Sequence, residues 1–192
     1  MFELIAITDK KQCKDFLKRL SELAQNHVPF ILREKDLSRE EYLELCRKVK
    51  CITDDFIIHT HIDIAKELGH KKIHLTYFDF LRCDIDDFET VGVSVHSIDE
   101  AKECQKKGAS YITYSHIFPT YCKKDLPPKG LEMLKKVCSE INIAVYALGG
   151  INADNIKSVV DAGANGACVM SLLMKCENVT YEIQKLRNPS LT

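Results

Sequence analysis

Two cations, Arg33 and Lys35, stand two residues apart at the end of an otherwise apolar run that begins at Phe30. On an extended segment such residues share a face, so both charges would stand at one rim. An isolated Arg-x-Lys is usually a solvated surface pair. A cation set into an apolar strand is costly without an anionic partner, which points here to an anion site. Gly149-Gly150 closes a second apolar run, 143–148, and a third, 166–170, ends on Met170 with Ser171 after it. Glycine lets a ligand approach the backbone closely, although a Gly-Gly pair alone is more often a turn. Histidines punctuate the other runs: His59 and His61 at and after the end of one, His74 within the next, His96 after another and His116 within the run 111–118. His-x-His can ligate a metal, while most single histidines are structural or surface groups. His116 stands apart, because Tyr114 and His116 alternate onto one face just before the polar loop 119–130, which carries Lys123 and Lys124. An imidazole beside fixed cations suits proton transfer near a phosphorylated substrate.

The elements that must position these groups recur along the chain. Short apolar runs at 4–8, 30–34, 56–59, 72–76, 91–95, 111–118, 143–148 and 166–170 are followed by charged amphipathic segments at roughly 24-residue spacing. The runs are β-branched and nearly continuously apolar, as expected of parallel strands covered on both faces. Helical spacing shows in Phe16, Leu17, Leu20 and Leu23 and in Leu131, Leu134 and Val137. Ser38 with Arg39 to Glu41, and Asn152 with Asp154, read as helix starts. The stretch 78–87 is too short and acidic to predict a helix. Eight alternating units in 192 residues predict one domain over 1–192, a minimal (β/α)8 TIM barrel of the α/β class. An open flavodoxin-like sheet is the alternative.

A barrel gathers the C-terminal strand ends at one mouth, and loops after its seventh and eighth strands commonly hold phosphate. Gly149, Gly150, Met170 and Ser171 then become phosphate-binding candidates. In barrel metallohydrolases a His-x-His pair belongs to the first strand and is completed by an aspartate after the eighth. Here Met170 and Ser171 stand there, so no catalytic metal is expected.

Composition removes other classes. The 27 basic and 28 acidic residues leave a net charge of -1, with no general attraction to nucleic acid or an anionic membrane. Nine cysteines without a CxxC pair argue against a zinc cage or disulfide framework and favour a reducing compartment. No apolar stretch approaches spanning length and no leader precedes the first run, so a cytoplasmic location is expected. A homo-oligomer is compatible with all of this.

The segments Ala6-Ile7-Thr8-Asp9, Leu32-Arg33-Glu34-Lys35-Asp36-Leu37-Ser38, Gly92-Val93-Ser94-Val95-His96-Ser97, Ile117-Phe118-Pro119-Thr120, Lys123-Lys124 and Ala147-Leu148-Gly149-Gly150-Ile151 follow one another in this order. In sequence and spacing they resemble the thiamine phosphate synthase and TenI family, from Leu4 to about Leu173. That family includes synthases, which join a pyrimidine diphosphate to a thiazole phosphate, and TenI-type proteins, some of them thiazole tautomerases. The resemblance implies a diphosphate site of Arg33, Lys35, Ser94 and Lys123, and a magnesium carboxylate at Asp79. The chain departs from the synthase pattern at Ile31, where glutamine is expected, at His59-Thr60, where an Asn-Asp pair is expected, and at Cys122, where threonine is expected. Magnesium prefers hard oxygen ligands, and Asp79 alone is a poor site. Ser115-His116-Ile117-Phe118 and Cys122-Lys123-Lys124 resemble the tautomerase branch instead.

The resulting expectation is a metal-independent thiazole tautomerase that aromatises a carboxythiazole phosphate. His116 would move the proton, Arg33 and Lys123 would stabilise the developing charge, and Gly149, Gly150 and Ser171 would hold the phosphate. Its rivals are a magnesium-dependent thiamine phosphate synthase using Asp79, and a regulatory barrel that binds a phosphorylated ligand without turnover.

Overall fold

The structure, a computed structural model, describes residues 2–120 and 126–188. Its strands are β1 (Glu3–Ile7), β2 (Phe30–Leu32), β3 (Phe56–His59), β4 (Lys72–Thr76), β5 (Thr90–Val95), β6 (Tyr111–Ser115), β7 (Ala144–Leu148) and β8 (Gly166–Val169). They form a closed barrel in sequence order, every pair parallel, with β8 returning to β1 through Leu4↔Ala167 and Ala6↔Val169. Among the described residues the helices are α1 (Phe16–Gln25), α2 (Arg39–Lys50), α3 (Ile62–Glu67), α4 (Tyr77–Arg82), α5 (Ile98–Lys106), α6 (Gly130–Glu140), α7 (Ile156–Asp161), α8 (Ser171–Lys175) and α9 (Val179–Arg187). The expected (β/α)8 architecture is therefore present, and the open sheet is not.

Both strand faces are apolar because both are covered. Leu4 and Ala6 join the large core between strands and helices, whereas Ile5 and Ile7 join Ile31, Ile57, Tyr111, Tyr146 and Cys168 in a second cluster inside the barrel. Each fully buried aliphatic side chain contributes about 1.5–3 kcal/mol relative to exposure. The inner cluster plugs the barrel, so ligands have room only above it, at the mouth.

Local signals fix the helix starts. Ser38 caps α2 in a reciprocal box: its Oγ accepts from Glu41 N at 3.2 Å, and Glu41 Oε2 accepts from Ser38 N at 2.8 Å. Such a cap contributes about 1 kcal/mol. Helix α2 then buries Tyr42, whose hydroxyl donates to the Leu32 carbonyl at 2.5 Å and accepts from His59 N at 3.2 Å. One side chain thus ties together the ends of β2 and β3.

Several sequence expectations need correction. A short helix, α4 (Tyr77–Arg82), does form and overlaps the stretch 78–87, because Thr76 caps it and Phe80 gives it a buried anchor. Strand β2 ends at Leu32, so Arg33 and Lys35 lie beyond the ladder and do not share a strand face. Asn152 and Asp154 build a turn, Asp154 N donating to Asn152 Oδ1 at 2.9 Å, and the helix starts later, with Asn155 as its flanking residue. Among the described residues no helix is long and apolar enough to cross a membrane.

Candidate active site at the barrel mouth

A cavity of about 400 Å³ opens above the inner plug. Its floor is apolar, from Ile7, Ile31, Leu148 and Cys168, and its rim is polar, from Asp9, Gln12, Arg33, His59, His74, Ser94, Ser115, His116, Gly149, Gly150 and Ser171. An apolar floor with a few convergent polar groups suits a small organic ligand that carries charge.

Of the residues singled out from the sequence, Arg33, Ser94, His116, Gly149, Gly150, Met170 and Ser171 line this cavity. Lys35 is not among its lining residues and is exposed. The Arg33 charge nearby, followed by partial burial, lowers its pKa. Lys123, Lys124 and Cys122 lie outside the described residues. Asp79 does not line the cavity either; its Oδ2 accepts from Thr76 Oγ1 at 2.6 Å, at the start of α4. His59 and His61 diverge, since His59 lines the cavity while His61 lies with its ring 4.2 Å from that of Tyr42.

The corner that presents Arg33 is locked from below. Arg33 N donates to Thr8 Oγ1 at 2.9 Å, and Thr8 Oγ1 donates to Glu34 Oε1 at 2.6 Å. Glu34 Oε2 in turn accepts from Lys10 N at 3.0 Å. Thr8 and Glu34 are both buried. Burial raises the Glu34 pKa, against the pull of the hydrogen bonds from Thr8 and Lys10. This buried carboxylate joins the ends of β1 and β2 and leaves the Arg33 side chain to the cavity.

The histidines are held differently. Burial, reinforced by His74 and by the Arg33 and Lys35 charges, pushes the His59 pKa down to about 2. Burial alone pushes His74 down to about 3. Both imidazoles are therefore neutral near pH 7. Next to His59, Thr60 has φ of +60°, a left-handed conformation unfavourable for a β-branched residue and far easier for asparagine or aspartate. His116 is buried, and its Nε2 lies 3.3 Å from the Leu126 carbonyl; a carbonyl only accepts, so this nitrogen carries the hydrogen.

Glycine at 149 and 150 has a steric reason. Both have positive φ, +105° and +69°, and a Cβ on Gly149 would sit 2.4 Å from the Cβ of His116. At Gly150 it would meet the Pro119 carbonyl at 2.6 Å. The β7 loop is pressed against the end of β6, and this close approach is what shapes the rim.

Sequence reading missed Asp9 and Gln12 as rim residues, and His74 as more than a strand histidine. Asp9 was visible in the Ala6-Ile7-Thr8-Asp9 segment. Gln12 is carried into place by a single 3-10 turn (Lys10–Gln12) in which its Nε2 donates to Asp9 Oδ2 at 2.6 Å. No sequence signal marks that contact.

Fold and rim together define a small-ligand (β/α)8 barrel with cationic and glycine-backbone groups at the C-terminal ends of its strands. The chain belongs to the family described as thiamine monophosphate synthase, whose model matches residues 4–173. It is 32% identical to a thiamine-phosphate synthase of Clostridium tetani, the alignment covering 95% of this chain and 93% of that protein. It is 31% identical to a thiamine-phosphate synthase of Pyrococcus abyssi, covering 96% and 93%. Among solved structures, a thiamine phosphate pyrophosphorylase from Pyrococcus furiosus superposes with a TM-score of 0.82 at 27% identity, covering 98% of this chain and 95% of that one.

These findings overturn the tautomerase expectation. It rested on His116 and the residues beside it, whereas the similarity to proteins named as synthases runs through nearly the whole chain.

Proposed function

We propose that this protein is a transferase that couples a pyrimidine diphosphate to a thiazole phosphate, releasing inorganic diphosphate. The observation that carries this reading is the convergence of Arg33 and Ser94 with Gly149, Gly150 and Ser171 around one cavity. That is the arrangement a reaction between two phosphorylated partners needs. Arg33 and Ser94 would hold the diphosphate, with Lys35 and Lys123 as further cations. The glycine loop, Met170 and Ser171 would seat the thiazole phosphate opposite.

In the reaction the thiazole supplies the electron pair of the new bond. The diphosphate departs with the pair of the broken carbon–oxygen bond, and no proton need move. The enzyme's part is to orient the two rings and to stabilise charge that grows on the leaving diphosphate. Arg33 fits that second role, because the Thr8–Glu34 lock fixes its backbone while its side chain reaches the cavity. The neutral imidazoles of His59 and His74 add no charge, so growing negative charge is met chiefly by the cations.

The residues present do not fit a protein-built magnesium site. Asp79 is engaged by Thr76 away from the cavity lining, position 60 is a threonine, and among the described residues no cluster of three or more metal-ligating side chains occurs.

The test supplies purified protein with both substrates, with and without magnesium, and follows thiamine phosphate by chromatography. Product formation that collapses in Arg33→Ala is expected. Absence of product under both conditions would overturn the reading.

A further inference from the structure

Behind Ser94 lies a buried relay that crosses three strands. His74 on β4 has Nδ1 3.0 Å from the Tyr111 hydroxyl and Nε2 2.8 Å from Ser94 Oγ. Tyr111 belongs to β6, one strand beyond the neighbour of His74, and the barrel register explains how it reaches. His74 pairs with Gly92 on β5, and Gly92 pairs with Tyr111. A Cβ at Gly92 would lie 2.0 Å from Tyr111 Cζ and 2.3 Å from its hydroxyl oxygen. The missing side chain at Gly92 is the passage through which the phenol touches the imidazole.

The direction of each hydrogen bond follows from supply and demand. Burial keeps His74 neutral, with its pKa near 3, so the ring offers one N–H and one lone pair. Among the described residues the Tyr111 hydroxyl has no other hydrogen-bond partner, and burial pushes its pKa well up. Its hydrogen therefore goes to Nδ1, which leaves Nε2 as the N–H that donates to Ser94 Oγ. Thr113 Oγ1, also buried, lies 3.2 Å from the same oxygen as a second donor. With both lone pairs of Ser94 occupied, its own hydrogen is left to point into the cavity.

We propose that Tyr111 and His74 are positioning residues that lock the Ser94 hydroxyl as a hydrogen-bond donor aimed at a phosphate oxygen of the diphosphate substrate. The inference rests on the transferase reading for the identity of that ligand. Polarity is what matters here. With the relay reversed, Ser94 would donate to His74 and present lone pairs to an anionic oxygen.

The polarity is readable without ligand. Nitrogen-15 spectra of histidine-labelled protein, with the His74 signals assigned by their loss in His74→Asn, should show Nε2 protonated and Nδ1 bare. In Tyr111→Phe that preference should weaken. Calorimetric titration with inorganic diphosphate supplies the second readout. Ser94→Ala should weaken binding about tenfold, the size of a hydrogen bond to a charged group. Tyr111→Phe should weaken it several-fold when Ser94 is present and not at all in the Ser94→Ala background. An Nδ1-protonated His74, or a Tyr111→Phe loss that is equal in both backgrounds, would overturn the relay while leaving the transferase reading intact. Wild-type protein that binds no diphosphate would overturn both. Intact coupling between Tyr111 and Ser94 with no product formed from the two substrates would overturn the transferase reading alone.

Discussion

The two walls of the mouth hold their ligand-facing groups by different physics. From β2 to β5 the groups are side chains on corners held by hydrogen bonds: the Arg33 backbone by Thr8, itself bonded to Glu34, the His59 backbone by Tyr42, and the Ser94 hydroxyl by His74. From β6 to β8 the rim is shaped by backbone, with Gly149 and Gly150 in left-handed conformations crowded against the end of β6. Truncating a side chain on the first wall should remove chemistry and spare the fold. On the second wall even one added methyl group should damage both, since it would lie within 2.4 Å of His116 Cβ at Gly149 and 2.6 Å of the Pro119 carbonyl at Gly150.

The largest effect is expected where that difference is tested most harshly. Gly149→Ala places a methyl 2.4 Å from His116 Cβ at φ of +105°, and should cost about 2–4 kcal/mol of stability. Urea denaturation measures it, and a loss below about 0.5 kcal/mol would show that the glycine wall yields. Next, Arg33→Ala should lower kcat/KM for coupling about 100-fold, equivalent to about 2.7 kcal/mol, while the urea midpoint stays close to wild type. A comparable fall in stability would erase the contrast between the walls.

Acid should sharpen the contrast on the side-chain wall. His59 and His74 titrate near 6.5 when unfolded but only near 2 and 3 when folded. Below pH 6.5 the unfolded chain binds more protons, so the stability these groups contribute is full above that value and is lost as pH falls toward the folded values. The loss should approach about 1.4 kcal/mol per pH unit for each histidine. Urea curves at pH 7.5, 6.5 and 5.5 should therefore show a shallower decline in His59→Asn than in wild type; equal slopes would contradict the burial of a neutral imidazole. The smallest effect is a gain. Thr60→Asn relieves a β-branched residue at φ of +60° and should raise stability by somewhat under about 1 kcal/mol in the same assay.

The strand core of the fold was legible because parallel strands covered on both faces must be apolar throughout, and that signal needs no partner to be recognised. Its edges were less so. Arg33 and Lys35 look equivalent in sequence, and only the end of β2 at Leu32 separates a cavity-lining cation from an exposed one. Helix α4 escaped notice because its stability comes from the Thr76 cap and the packing of Phe80, not from a repeating pattern. At the site, His116 could be picked out because it alternates with Tyr114 just before a polar loop, whereas Ser94 was implied only by the family resemblance. The relay from Tyr111 through His74 could not be picked out, because it joins residues 37 positions apart across a strand and depends on the gap left by Gly92. Nor could one histidine in place of another residue outweigh similarity spread along the whole barrel, which is why the tautomerase expectation failed.

A coupling transferase must make its two products in step. Incubated with the pyrimidine diphosphate and the thiazole phosphate, the protein should release one inorganic diphosphate for each thiamine phosphate formed, and omitting either substrate should stop both. Diphosphate release without thiamine phosphate, or neither product with both substrates supplied, would contradict the assignment of this barrel as a coupling transferase.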